Sequence, residues 1–270
     1  MSKKTKSASV SPASPASDKK AALNRREQQK KRQQQQQTIL FGIVAVAALI
    51  VVIVVVLTQN SPVEASVPDD VVNNAVINRI LEKGYSGRTE QGYYFLGRAD
   101  APTLMEEFSS FSCSACLSYH DSAFKSLLDK IEAGHLKFVY IPLSTYGSFN
   151  SEGMGRGAVC AGEQGKFWQM HELMFDWQRR YASGSNDYRR LSSAAGQLGL
   201  DQAKFDACLG SSATSDLLNK AAAEATNRSI NATPSVFLDG TKIYPERLDG
   251  SQGPNLSEIR GYIESKAGAN

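Results

Sequence analysis

Residues 101–120 read APTLMEEFSSFSCSACLSYH. The apolar and β-prone run over 103–109 predicts a strand that leads straight into two cysteines three positions apart, Cys113 and Cys116. After them, Leu117, Phe124, Leu127, Leu128 and Ile131 fall on one helical stripe, and Gly134 ends it. HLKFVYIPL, residues 135–143, predicts the next strand. Strand, helix and strand within about forty residues is the size of a right-handed βαβ unit with parallel strands. The cysteine pair therefore sits where a strand turns into a helix. Spacing alone leaves its chemistry open, because Cys-x-x-Cys serves zinc binding, haem attachment and thiol redox exchange.

Upstream, YYFLG predicts another strand, and Asp100-Ala101-Pro102 a turn. PDDVVNNAVINRILEKG predicts one helix, with Asp69 or Asp70 as N-cap and Gly84 as its stop. Downstream comes a helical block of about eighty residues. Within it Asp201 is expected as an N-cap, with Leu200 and Phe205 placed as a hydrophobic staple, and Gly210 closes that helix. NATPSVFLDGTKIYPERL predicts two strands joined at Asp239-Gly240, and NLSEIRGYIESKAG a last helix. The order is β-β-α-β, a helical insertion over about 145–228, then β-β-α: an α/β domain spanning 69–270.

The first 68 residues differ in kind. Residues 1–38 are rich in Ser, Gln, Lys and Arg and predict a disordered tail. Residues 39–57, ILFGIVAVAALIVVIVVVL, contain no charge and reach about 28 Å as a helix, enough to cross a bilayer. Residues 58–68 are a polar linker that lifts the domain off the membrane. The long leader favours an uncleaved signal-anchor, with cleavage after Val63-Glu64-Ala65 as the alternative. Ten Lys and Arg against Asp18 and Glu27 give the tail +8, so the chain's +3 leaves −5 for the remainder. The positive-inside rule then keeps the N-terminus cytoplasmic, next to lipid headgroups, and puts the domain on the extracytoplasmic side of the cell membrane as a single-pass protein. A mildly acidic folded part also argues against nucleic acid as a partner. Export makes the four cysteines, at 113, 116, 160 and 208, compatible with two disulfides in any of three pairings.

A cysteine at a helix start faces unpaired N–H groups and the positive end of the helix dipole, which favour thiolate. Cys113 is so placed and is expected to be the exposed, attacking sulfur; Cys116, one turn on, resolves the mixed disulfide. Zinc lacks the remaining ligands at metal spacing, so no metal is expected. Haem attachment wants His where Leu117 stands. A purely structural bridge remains open, although a four-residue loop constrains the unfolded chain little.

APTLMEEFSSFSCSAC, CAGEQGKFWQMHELMF and ATPSVFLDG occur in the order found in the DsbA family of thioredoxin-fold thiol–disulfide oxidoreductases, and residues 93–266 resemble its membrane-anchored branch. The resemblance implies a thioredoxin-like fold, a four- or five-stranded mixed sheet with a helical insertion. It implies a cis-proline loop at Thr233-Pro234 that faces the cysteines and presents backbone to a substrate. It also selects Glu107 over Glu106 as the acid beneath the site that exchanges a proton with Cys116; strand alternation puts one of the two inside, and Glu106 is then expected to face solvent. No cofactor is implied. The partners implied are exported client proteins with cysteines and a quinone-linked membrane protein that reoxidises the pair. Ser114-Ala115 replaces the Pro-His of strong oxidants in this family, so a weaker oxidant is expected, within roughly −120 to −270 mV.

Cys160 and Cys208 both fall in predicted helices of the insertion, where they meet as a structural disulfide or remain two buried thiols. Closing 48 residues would contribute ~4 kcal/mol in the loop-entropy model. His171-Glu172 lacks the second His of a metalloprotease helix, and His120 is expected on the solvent side of its helix. The leading reading is a disulfide-forming oxidase acting through Cys113-Ser114-Ala115-Cys116. A reductase or isomerase fed by a transmembrane electron carrier, and a non-catalytic anchored binding or chaperone module, are the alternatives.

Overall fold

The computed structural model describes residues 15–59, 63–245, 253 and 255–269. The chain divides into two units, Met1–Ser61 and Pro62–Asn270. In the first, one helix α1 runs over Pro15–Gln59, and its stretch Leu23–Thr58 is long and apolar enough to cross a membrane, with a mean hydropathy of 3.5 in its most apolar window. Composition predicts disorder over 1–38, yet α1 begins at Pro15; positions 1–14 lie outside the described residues. Gln, Lys, Arg and Ala are good helix formers, and they extend a helix already nucleated by the apolar run.

The second unit opens with two short helices where the sequence predicts one. α2 covers Asp69–Val72 and α3 covers Ala75–Glu82. Asn74 breaks them apart: its side chain accepts from the N–H groups of Val76 and Ile77 and so caps a new helix. The expected free linker is also shortened. Trp177 Nε1 donates to the Ser66 carbonyl at 2.6 Å, Arg190 Nε to the Glu64 carbonyl at 2.6 Å and Gln197 to the Ala65 carbonyl at 2.8 Å. Residues 64–66 are therefore docked on the domain. Of the expected linker, positions 58–59 belong to α1 and positions 60–62 lie outside the described residues.

The sheet has six strands, β1 (Ser86–Arg88), β2 (Tyr94–Leu96), β3 (Thr103–Ser109), β4 (Leu136–Pro142), β5 (Ser235–Leu238) and β6 (Thr241–Tyr244), in the order β1-β2-β4-β3-β5-β6. This exceeds the four or five expected because Ser-Gly-Arg at 86–88 carries no apolar alternation, and only pairing with β2 makes it a strand. β3 and β4 are parallel, and β3 pairs with β5 antiparallel. The β5–β6 hairpin turns at Asp239 and Gly240, with φ of 45° and 80°, the left-handed pair that a two-residue hairpin needs. Asp239 also accepts from the Leu104 N–H at 2.8 Å and so ties the turn to the start of β3.

Between β3 and β4 lie α4 (Ser114–Tyr119), one π-helical turn (His120–Phe124) and α5 (Lys125–Glu132). Between β4 and β5 come α6 (Glu152–Gly162), α7 (Phe167–Tyr181), a 3₁₀ turn (Ala182–Asn186), α8 (Tyr188–Gln197), α9 (Gln202–Leu209) and α10 (Ser212–Asn227). Asp201 caps α9 through the Lys204 N–H, as expected, and Phe205 is fully buried. The last helix, α11 (Leu256–Ala267), starts with a capping box in which Asn255 and Glu258 each accept from the other's N–H. One core of aromatic and aliphatic side chains joins the sheet to the insertion, with Phe111, Phe124, Tyr140 and Phe175 all at or below 1% exposure.

Candidate active site

Strand β3 sets the floor of the site. Thr103, Met105 and Glu107 alternate inward along it, so Glu107 reaches the interior at 2% exposure. Parallel pairing places Glu107 beside Tyr140 of β4. Glu106 points the other way, but it is not simply solvent-facing as expected: Arg228 donates to it at 3.0 Å and stacks over the Phe237 ring at 3.7 Å.

Cys113 caps α4 with extended backbone, φ −89° and ψ 122°, and its Sγ accepts from the Cys116 N–H at 3.4 Å. The sequence predicts an exposed sulfur; the residue is only 9% exposed, because the loop carrying Thr233 covers it. As a thiol, Cys113 donates to the Thr233 carbonyl at 3.3 Å, and the Thr233–Pro234 peptide is cis. Cys116 is fully buried, and its Sγ accepts from the Ser110 N–H at 3.4 Å. Both cysteines are free.

The two sulfurs differ sharply in acidity. A hydrogen bond from the Cys116 thiol, with others from Thr233 and the Cys116 and Ala115 N–H groups, outweighs burial and draws Cys113 down to about 5. Burial, the thiolate of Cys113 and the Glu107 charge push Cys116 far above the ordinary thiol range. Burial likewise raises Glu107 to about 8, although the Ser109 hydroxyl opposes the rise. The pair is thus a thiolate over a thiol, with a protonated carboxyl beneath at neutral pH.

The loop before α4 is braced from the β4–α6 connection. Ser112 Oγ donates to the Phe149 carbonyl at 2.6 Å, Ser148 Oγ donates to the Ser112 carbonyl at 3.0 Å, and the Ser110 and Ser151 hydroxyls meet at 3.0 Å. Gly147 permits this approach: at φ +148°, a Cβ there would stand 2.7 Å from Ser112 C and 2.9 Å from Cys113 N.

His120 corrects the expectation of a solvent-facing side chain. It is 3% exposed, and its Nε2 lies 2.8 Å from the Glu172 carboxylate, which also receives His171 Nδ1 at 3.1 Å. These ligating atoms lie within 4.8 Å of one another. Both facing nitrogens are engaged by Glu172, and Phe111, Phe124 and Phe175 rings pack around the group, so it is a hydrogen-bonded bolt in an aromatic shell. Elsewhere Cys160 of α6 and Cys208 of α9 are bonded to each other, Cα to Cα 5.7 Å, across 48 residues of sequence.

The family model for thioredoxin matches residues 89–263, about two thirds of the chain, and takes in the cysteines, Glu107 and the Thr233-Pro234 loop. The chain belongs to the thioredoxin family. Among sequence relatives, a candidate protein-disulfide oxidoreductase of Rickettsia typhi is 28% identical over 158 residues, 57% of each chain. The disulfide bond formation protein D of Bacillus subtilis is 29% identical over 94 residues, 33% of this chain and 40% of that one. The chain thus spans about half the length of the curated relatives it matches. Among solved structures, oxidised BdbD of Bacillus subtilis superposes with a TM-score of 0.55 at 21% identity, covering 67% of this chain and 96% of that one. Alpha-DsbA1 of Wolbachia pipientis gives 0.53 at 20% identity, covering 67% and 94%. At these identities the likeness is one of fold alone: a mixed sheet with an inserted helical block.

Ser109 and Tyr140 escaped the sequence reading. Ser109 shares its face of β3 with Glu107, an alternation visible in EEFSS, whereas Tyr140 joins them only through strand pairing. The importance of Gly147 has no sequence signal at all.

Proposed function

We propose that the chain is a membrane-anchored thiol–disulfide oxidoreductase that forms disulfides in exported client proteins by exchange through Cys113-Ser114-Ala115-Cys116. One arrangement carries the reading: Cys113 Sγ, at the start of α4 beside the cis Thr233–Pro234 peptide, accepts from the Cys116 N–H at 3.4 Å and is drawn toward thiolate, while Cys116 is fully buried and pushed toward thiol. Stabilising that thiolate stabilises the reduced protein, which makes the disulfide form the better electron acceptor and supports net oxidation.

In this reading the client thiolate attacks Cys113 Sγ, the Cys113–Cys116 bond breaks, and a second client thiolate then displaces Cys113. Thr233 and Pro234 border the attacked sulfur and offer backbone to the client. Glu107 exchanges a proton with Cys116, and the Cys160–Cys208 bridge holds α6 to α9 in the insertion. Among the described residues, α1 supports a single-pass anchor, and the basic tail supports a cytoplasmic N-terminus. Reoxidation would fall to a quinone-linked membrane partner, by likeness to the family. Names given to relatives for disulfide bond formation agree with this direction.

Trapping tests it. Cys116→Ser should accumulate mixed disulfides with exported proteins, and Cys113→Ser should trap none while staying folded. Equilibrium with glutathione fixes the direction, because a potential well below that of the exported compartment would overturn net oxidation.

A further inference from the structure

Beneath Cys116, Glu107 Oε1, Ser109 Oγ and Tyr140 Oη are buried side-chain oxygens with no hydrogen-bond partner in bonding geometry. Such groups are rare in folded proteins because losing water without replacement is costly. Here they gather at one place. Glu107 and Ser109 lie two apart on the inward face of β3, Tyr140 is the register partner of Glu107 on β4, and all are at or below 2% exposure, as is Cys116. The Ser109 hydroxyl is close enough to Glu107, Cys116 and Tyr140 to offset part of the rise that burial imposes on each. The neighbouring Ser110 N–H also points at the Cys116 sulfur, at 3.4 Å.

We propose that Ser109 is a positioning residue for the exchange reaction, a hydroxyl relay that carries a proton between the Glu107 carboxyl and the Cys116 sulfur. The proposal rests on the oxidoreductase reading above and adds a residue to it. A hydroxyl both donates and accepts, so it can hand on a proton without holding a charge. The step balances as follows. A client thiolate forms a bond to Cys113 Sγ, the Cys113–Cys116 bond breaks, and the electron pair stays on Cys116 Sγ. Ser109 gives its hydroxyl proton to that sulfur and receives the Glu107 proton, leaving Glu107 ionised until solvent returns one. The second client thiolate attacks the client sulfur of the mixed disulfide, and Cys113 leaves as thiolate. The client has lost two electrons and two protons; the protein has gained two electrons and one proton, and the other proton is in solvent.

The titratable groups facing Glu107 are Tyr140 from β4, and Cys113, Cys116 and Tyr119 from the segment that carries the cysteines. Tyr119 and Tyr140 are pushed up and stay neutral, so neither competes as the acid near pH 8. Glu107 alone among the carboxyls there titrates in that range.

The test uses the full-length oxidised chain and a dithiol peptide in rapid-quench single turnovers from pH 6 to 10, with each rate divided by the peptide's thiolate fraction. In the parent chain this normalised rate should fall as pH rises through about 8. Ser109→Ala should slow it on the order of 10-fold at pH 7 and remove that inflection, and Ser109→Thr should restore both. Redox-difference infrared on S109A alone should show the protonated Glu107 carbonyl band shifted, a readout that stands even where threonine does not fit. If S109A keeps the parent rate and inflection while Glu107→Gln loses the inflection, the relay is wrong and the oxidoreductase reading survives. If Cys113→Ser still exchanges, that reading fails instead, and the relay with it.

Discussion

His120 Nε2 lies 2.8 Å from Glu172 Oε1, a contact between residues 52 apart that joins the segment carrying the cysteines to helix α7 of the insertion. Burial by itself would raise the Glu172 carboxyl. The charge and hydrogen bond of His120, with the hydrogen bond of His171, outweigh it and hold Glu172 below the ordinary carboxylate range.

Removing that carboxylate should be costly. Glu172→Ala leaves two buried imidazoles without their acceptor, and breaking a buried charged network costs about 3–5 kcal/mol. The exposed Lys125–Asp121 pair, at 2.9 Å, makes the control: Lys125→Ala should cost only about 0–1 kcal/mol. Urea unfolding of both variants measures the contrast, and equal losses would dismiss the bolt.

His171 gives the fold a pH dependence of definite sign. Burial lowers its pKa from 6.5 to about 4 despite the attraction of Glu172. Between those values the unfolded chain binds the extra proton, so stability should rise as pH goes from 4 to 6.5. His171→Gln keeps a donor but cannot titrate, and its unfolding free energy should be flatter across that window.

Cys113 sets a break in the reduction potential. Its pKa falls from 9.0 to about 5, so the reduced form is stabilised in full above 9, and the advantage disappears as pH falls through about 5. Below 5 reduction takes up two protons with two electrons, about 59 mV per pH unit; above it Cys113 stays ionised and the slope drops to about 30 mV. A break at the ordinary thiol value would show that the site does not hold the thiolate.

Gly147→Ala should disturb chemistry from a distance. Its Cβ would press on Ser112 and the Cys113 N–H, at a φ that side chains rarely adopt. Overpacking of this kind costs roughly 1–3 kcal/mol. The pH titration of Cys113 alkylation should move upward as the loop and its hydrogen bonds shift. An unchanged titration in a folded variant would mean that the brace does not position the sulfur.

Replacing both Cys160 and Cys208 by Ser should lower stability by ~4 kcal/mol, as expected for a loop of 48 residues in the loop-entropy model. Denaturant midpoints under non-reducing conditions test it. Exchange by Cys113 should survive in the folded fraction, because the bridge lies within the insertion.

Much of this protein is written locally. The strand running into Cys113, the cap at Asp201, the hairpin at Asp239-Gly240 and the apolar run of α1 depend on residues within a turn or two, so their side chains alone announce them. His120 shows where that ends. A uniform helix through Leu127, Leu128 and Ile131 already puts His120 near the apolar stripe, but its polar ring gives no sign that Glu172, 52 residues on, takes it into the core. A π-helical turn, in which the Lys125 N–H reaches the His120 carbonyl, interrupts the helix at this point and has no signal in the apolar spacing. The docking of 64–66 was hidden because Trp177, Arg190 and Gln197 lie more than a hundred residues on; the strand at 86–88 exists only through pairing with β2, and the break at Asn74 is a local cap that competes with a continuous helix.

Sequence by itself determined the long apolar helix, the parallel strand–helix–strand unit and the place of the two cysteines, since hydrophobic period and capping chemistry act over a few residues. Tertiary structure supplied the distant groups that act on Cys113, brought Thr233, 120 residues away, beside it, and closed Ser109 and Tyr140 around Glu107. Acidity depends on burial and on the groups that converge in space, and both exist only once distant segments have packed.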